Sequence, residues 1–432
     1  MTSAPGWQTR HAAVLALSMV TASHLLVDTV AATLNPLWPT LERHLSLAAG
    51  QGFWLYLAWT GATSVCQFVF GVWGDRISGG KLMWFGPLIA ILCLSTIGWT
   101  HSPWLLALMI SIGGLGVAAY HPEAAALAGS STPGQRSRAM SIFATGGFLG
   151  QSIAPYYSGA IVERYGLTGL SGGLVWGLAG LGTLFLLARW ISTSGASDAT
   201  DASAADASSA SASSGSAAVT ASGAATSSIA PPLNSRPTTS LAAVFAGRSR
   251  AVSLLLAVAT LRIIAAAGLP LAVAYSLEAR RATADAIGWV QSLFMLGIGV
   301  GGLVCAAVVR PRHERSVLWL GPLALIPPLV AIPYVEGAAL QVCVLTCGLI
   351  VGFAQPVLIS YGQQLMPDCQ RVASALTMGV SWGLGGAIVA GAMSLLVRWQ
   401  RTDQAFLAFA AAGVASSVLC VWLPRHRTEP SA

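Results

Sequence analysis

The stretch "GLGVAAYHPEAAALAGSSTPGQR", Gly114–Arg136, has a near copy in "GLIVGFAQPVLISYGQQLMPDCQR", Gly348–Arg371. Both open on Gly-Leu, carry an X-Pro pair inside an apolar run, and leave it through a loop with Pro133 or Pro367 before Gln-Arg. The second loop has one extra residue. His121 is matched by Gln355 and Glu123 by Val357, so the frame recurs while its chemistry changes. A repeat of this kind in a 432-residue chain divides it into two copies of one unit.

The solvent of that unit is lipid. The chain is 55% hydrophobic and 9% charged, against about a quarter charged in soluble domains. A spanning helix needs about 20 mostly apolar residues. Six such runs precede the middle of the chain, at about 12–37, 52–73, 82–100, 104–128, 138–161 and 168–190. Six more follow, at about 251–277, 286–309, 316–335, 338–361, 372–397 and 404–423. The expected fold class is therefore all-α and integral to the membrane, with twelve transmembrane helices in two six-helix pseudo-repeats. The first run is longer than the 7–15 residues of a signal h-region, so it reads as a retained helix.

The expected domains are an N-terminal six-helix bundle over 1–191, a linker over 192–245 and a C-terminal six-helix bundle over 246–432. The linker is almost entirely Ala, Ser, Gly and Thr until its basic end. Such a composition buries too little apolar surface to offset its ordering entropy, so it reads as a disordered tether.

The net charge of +7 comes from short basic clusters between apolar runs, which excludes a nucleic-acid surface. With both termini placed in the cytoplasm, fifteen Lys and Arg fall on the inner side and six on the outer, the positive-inside pattern. Six of the seven cysteines lie in apolar runs and Cys369 in a loop, without the spacing of a disulfide framework or a closed zinc site. No metal and no cofactor is expected.

Of fifteen acids, only Asp28 and Glu123 lie well inside a span. The other ionisable groups there are His24, His121 and Arg262. A charge at the bilayer centre costs at least about 2.5–3.5 kcal/mol, so these groups should face a cavity or one another. His24 and Asp28 are four residues apart and share a helix face. Pro122 cannot donate to the carbonyl of residue 118, which leaves that acceptor free. His121 and Glu123 are about 200° apart on an ideal helix and share no face without distortion. Arg262 needs an anionic partner, from the protein or from a ligand.

Three further stretches carry a resemblance. "GVWGDRISGGK", Gly71–Lys81, resembles the loop signature of the major facilitator superfamily, with Gly71, Asp75 and Arg76 in place and the closing basic pair reduced to Lys81. "GGFLGQSIAPYYSG", Gly146–Gly159, resembles the Gly-Pro signature of drug–proton antiporters, with Ala154-Pro155 where that pattern has Gly-Pro. "SHLLVDTVAATLNPLWPTL", "YHPEAAALA" and "RAMSIFATGGFLGQSIAP" together resemble the fosmidomycin-resistance branch of that superfamily. The resemblance covers most of the first half, and the second half at superfamily level.

It implies the major facilitator fold and a proton-coupled secondary transporter exporting small drug-like or anionic compounds across a bacterial inner membrane. It further implies that the protein works as a monomer with small molecules, protons and the bilayer as its only partners. The expected proton-coupling residues are Glu123 first and Asp28 second. His24, His121, Arg262 and Gln355 are expected to bind substrate, and Gly71, Asp75 and Arg76 to act in the conformational loop.

A proton-coupled uptake symporter would use the same parts. An intramembrane enzyme would use His24, Asp28, His121 and Glu123 as metal ligands or acid–base groups, although neither HExxH nor a P-loop is present. A sensor or scaffold lacks an output domain of useful size. If the linker is only a tether, shortening it to about 20 flexible residues, which still reach about 25 Å, should leave transport intact. Loss of transport with normal membrane insertion would show that the segment has a specific role.

Overall fold

Backbone that crosses hydrocarbon must satisfy its own hydrogen bonds, and the chain does so with helices alone among the described residues. The computed structural model describes residues 5–77, 80–131, 136–190, 247–366, 372–373 and 375–424. The first half holds α1 (Pro5–Ala32), α2 (Phe53–Thr60, a π-helical turn at Gly61–Val65, then Cys66–Ile77), α3 (Leu82–Trp99), α4 (Pro103–Ser131), α5 (Arg136–Tyr165) and α6 (Leu167–Trp190). The second holds α7 (Ser249–Ala279), α8 (Ala284–Val308), α9 (Glu314–Tyr334), α10 (Gly337–Leu365), α11 (Leu376–Arg398) and α12 (Gln404–Cys420). The twelve expected spans are all present.

Nine of these helices are, among the described residues, long and apolar enough to cross a membrane by themselves. The other three have local reasons to fall short. α2 is broken by its π-helical turn, α12 is 17 residues long, and α5 carries Gly, Ser, Gln and Tyr in place of aliphatic residues. That composition suits α5 because it packs on other helices. A Cβ on Gly146 would meet Thr21 of α1, and one on Gly159 would meet the backbone of Ala284 at the start of α8. Small residues at such crossings let two backbones approach where lipid offers no hydrophobic drive.

The first helix ends earlier than its apolar run. α1 stops at Ala32, turns carry the chain past Pro36, and a short helix, Trp38–His44, follows. Pro36 and Pro39 lack the N–H that a continuing helix needs.

By contact, Met1–Leu184 and Arg250–Ala432 make one compact unit, and Phe185–Ser249 a second. The expected linker, 192–245, lies wholly outside the described residues. Within the first unit the two halves meet at the end of the bundle opposite the termini. Arg43 pairs with Glu278, Ser394 Oγ donates to the Gly50 carbonyl at 2.7 Å, and the Ala284 N–H donates to Glu163 Oε2 at 3.0 Å. Phe53 stacks on Tyr275 with ring centroids 5.1 Å apart. Gln291 is fully buried, and its Nε2 donates to the Pro270 carbonyl at 2.7 Å and to the Asn35 carbonyl of the other half at 3.3 Å. A cavity of about 690 Å³ lies beside this seam, with Arg43, His44, His101, Glu163 and Glu278 in its wall.

Glu42, on the short helix, is buried in the same region and accepts the Gly52 N–H at 2.6 Å. Burial pushes its carboxyl above the ordinary value of 4.5, while the Gly52 N–H and the Tyr275 hydroxyl pull it back. A raised carboxyl contributes stability that is complete below 4.5 and is lost as pH rises through the raised value. Glu42→Gln keeps the acceptor for Gly52 and removes the charge. The variant should melt at a higher temperature than wild type near pH 7 and at an equal one near pH 4. An advantage of the same size at both pH values would show that ionisation is not its cause.

Candidate functional site

Asp28 is 3% exposed, and three helices converge on its carboxylate. From its own helix, α1, His24 brings Nε2 to 3.3 Å from Oδ2, as the four-residue spacing predicts. From α4, His121 brings Nε2 to 3.1 Å from Oδ1. From α5, Gln151 Nε2 donates to Oδ2 at 2.7 Å. Gln151 was not anticipated, and it fixes the orientation of the carboxylate.

The far nitrogens of both imidazoles are also held. His24 Nδ1 lies 2.8 Å from the Phe143 carbonyl, and its ring stacks on that phenyl ring at 4.0 Å. His121 Nδ1 lies 2.8 Å from the Val117 carbonyl, one turn back along α4. A carbonyl oxygen only accepts, so each Nδ1 carries its hydrogen and each Nε2 is the position that gains or loses one. A neutral Nε2 facing a carboxylate oxygen sets lone pair against lone pair, and a proton turns that contact into a hydrogen bond. The cluster therefore holds a net charge of −1, 0 or +1 as it takes none, one or two protons. The donor atoms of His24, Asp28 and His121 all lie within 4.8 Å of one another, so the same three groups would also offer ligands to a metal ion.

A missing side chain creates the space. A Cβ on Gly147 would lie 2.6 Å from His24 Nε2 and 2.7 Å from Asp28 Oδ2, and Gly150 lets α5 press equally close to the backbone of α1 at Leu25. Behind the cluster, Tyr120 is buried with its hydroxyl 2.6 Å from Ser23 Oγ.

The other expected site residues lie apart from this centre. Glu123 sits beside the turn between α2 and α3, its Oε1 3.9 Å from where a Cβ on Gly80 would be. The opposed faces expected for His121 and Glu123 are thus kept, and α4 stays helical through Pro122. Arg262 points into the second half, with Nη2 3.2 Å from the position of a Cβ on Gly321 of α9. Gln355 is on α10, and its Nε2 is buried. Asp75 and Arg76 belong to the last turn of α2, and their side chains lie outside the described residues. Gly71 is exposed, and among the described residues no atom lies within 4 Å of where its Cβ would be.

The family model of the Major Facilitator Superfamily matches residues 20–390. The chain belongs to this superfamily. Among curated relatives of this major facilitator chain, the fosmidomycin resistance protein of Escherichia coli (strain K12) is 22% identical over 371 residues, covering 86% of this chain and 83% of that one. An uncharacterized transporter of the same type from Bacillus subtilis (strain 168) is 26% identical over 389 residues, covering 87% and 86%. Among solved structures, the nucleoside transporter NupG matches with a TM-score of 0.69 at 12% identity, covering 95% of this chain and all of that one. A peptide transporter matches at 0.63 and 19% identity, covering 94% and 93%. The protein is a multi-pass membrane transporter of the major facilitator fold, and its substrate is a small molecule.

Gly147 offers a direct test of the packing. Gly147→Ala should destabilise by about 1–3 kcal/mol through overpacking, read as a lower melting temperature of the purified protein. Gly172→Ala, where among the described residues no atom lies within 4 Å of a Cβ, is the control and should melt no lower than wild type. Equal melting of wild type and Gly147→Ala would show that α1 and α5 are not pressed together as described.

Proposed function

We propose that this transporter exports small drug-like or anionic compounds in exchange for protons, and that the proton binds between the Asp28 carboxylate and the Nε2 atoms of His24 and His121. The observation that carries this reading is the commitment of both Nδ1 atoms to backbone carbonyls, which leaves both Nε2 atoms facing one carboxylate. A secondary transporter needs one site whose protonation differs between its two states. Here that change would alter the attraction of α1 to α4 directly. Each proton moving inward contributes about 2.3 kcal/mol per 100 mV of membrane potential. A pH difference adds about 1.4 kcal/mol per unit.

The sequence alone favoured Glu123 for coupling with Asp28 beside it. The geometry supports Asp28 first, because two imidazole Nε2 atoms meet its carboxylate. His121 is the more accessible imidazole and is the member of the cluster we assign to contact with substrate. Export is supported by the name of the Escherichia coli relative, and fosmidomycin is the first compound to try. The same relatives support a bacterial inner membrane, and the basic clusters support cytoplasmic termini.

The experiment compares proton-driven accumulation with substrate exchange in proteoliposomes for Asp28→Asn and Glu123→Gln. Asp28→Asn should abolish accumulation against a gradient and keep exchange, which needs no net proton movement. Glu123→Gln should keep both. If Glu123→Gln alone loses uphill transport, coupling lies at Glu123. If both variants accumulate substrate at wild-type levels, neither acid couples. Reversal of proton flow relative to substrate would make the protein a symporter, and stoichiometric metal in the purified protein would favour the metal reading of the cluster.

A further inference from the structure

The repeat that relates the halves also relates their polar centres. Pro36-Leu37 and Pro270-Leu271 stand 234 residues apart, as do Gly114 and Gly348. The same offset carries Asp28 onto Arg262 and His121 onto Gln355. Where the first half has an acid beside an imidazole, the second has a guanidinium and an amide at the matching positions.

These second-half groups lack partners. Arg262 Nη1 and Nη2, Gln355 Nε2 and Thr260 Oγ1 are all buried, and none has a hydrogen-bond partner among the described residues. Three of these four atoms only donate. Buried guanidinium groups persist when a counter-charge meets them, since the desolvation of an uncompensated charge is otherwise unopposed. Among the described residues no carboxylate lies beside it. Of the described acids from residue 247 onward, each falls at a span end or in a loop, and the first half's deep acids belong to sites already described. Around the Arg262 guanidinium lie Gly321 of α9, Ala354 of α10 and the Cys420 thiol of α12, none of them a carboxylate.

We infer that Arg262 and Gln355 form a site for a compact anion, the charge-inverted counterpart of the Asp28 centre. Gly321 leaves the space beside Nη2 open, because a Cβ there would stand only 3.2 Å from both Nη2 and the Ala354 Cβ. Either a free inorganic ion or the anionic group of a transported molecule meets the same chemistry. The second source rests on the transport reading above, and the first does not.

The test is thermal melting of the purified, substrate-free protein as chloride replaces gluconate at constant ionic strength and pH. An ion that binds the folded state raises the melting temperature saturably. Wild type should show that rise, and Arg262→Gln should lose it. Gln355→Leu keeps the charge and should shift half-saturation upward by about tenfold, the consequence of removing one donor. It also carries the test if Arg262→Gln fails to fold.

A second arm replaces chloride with fosmidomycin, an anionic compound, and with a neutral ester of it. A rise with the anion alone that depends on Arg262, without any chloride effect, would assign the site to the substrate's own group. An undiminished response in Arg262→Gln, or no response to either kind of anion, would overturn the proposal. None of these measurements requires proton coupling, so failure here and failure of the coupling assignment are seen separately.

Discussion

Asp28 is a carboxylate on a helix surrounded by lipid-spanning neighbours, and most of the first half's packing answers to it. Its charge is tolerable only if hydrogen-bond donors reach it from several sides, because one helix cannot surround one of its own side chains. Gln151 arrives from α5 as a fixed donor, while His24 on the same helix and His121 from α4 donate once protonated. For Gln151 to reach 2.7 Å, α5 must lie almost against α1, and that requires residues without side chains along the crossing. Gly146, Gly147 and Gly150 meet the requirement, each at a point where a Cβ would strike α1. The glycines of α5 and the acid of α1 are one structural decision.

This dependence explains what could be read from residues alone. Span number, the two-fold repeat and the shared face of His24 and Asp28 all follow from spacing within single segments. The partnership of Asp28 with Gln151 joins residues 123 positions apart, and that with His121 joins residues 93 apart, so no periodicity reveals either. A signal for Gln151 was present in "GGFLGQ", where a polar residue follows three glycines on a helix whose charged residues all lie near its ends. It reads as packing until the partner across the crossing is known. The end of α1 was missed for a simpler reason, since the apolar run continues through Pro36, which the helix does not reach.

The seam at the end opposite the termini uses a different kind of contact. Arg43 is 62% exposed, so its pair with Glu278 is worth at most about 1 kcal/mol. The Ser394–Gly50 hydrogen bond and the Glu163 contact at the start of α8 are similarly small and independent. A seam built of several weak, partly wet contacts closes firmly in sum and opens without a large barrier at any one of them. Buried Gln291 is the exception, since opening would leave its second acceptor behind while the bond to Pro270 stays within its own half.

The two halves therefore share a frame but not a charge. On the proposed reading, a carboxylate on α1 and a guanidinium at the matching place on α7 make one bundle receptive to cations and the other to anions. An exporter that exchanges a proton for an anionic molecule has use for that asymmetry, because the two passengers then never compete for the same atoms. Their coupling would have to run through the motion of one bundle against the other. The inter-half crossings are suited to this. At α5–α8 and at α2–α11 the contacts are made by Gly159, Gly288, Gly383 and Gly386. Surfaces of small residues can rock on one another without unlocking large side chains. On that reading, a change of proton count in the Asp28 cluster would act on α1, α4 and α5 together, and α5 is the helix that forms the crossing with α8.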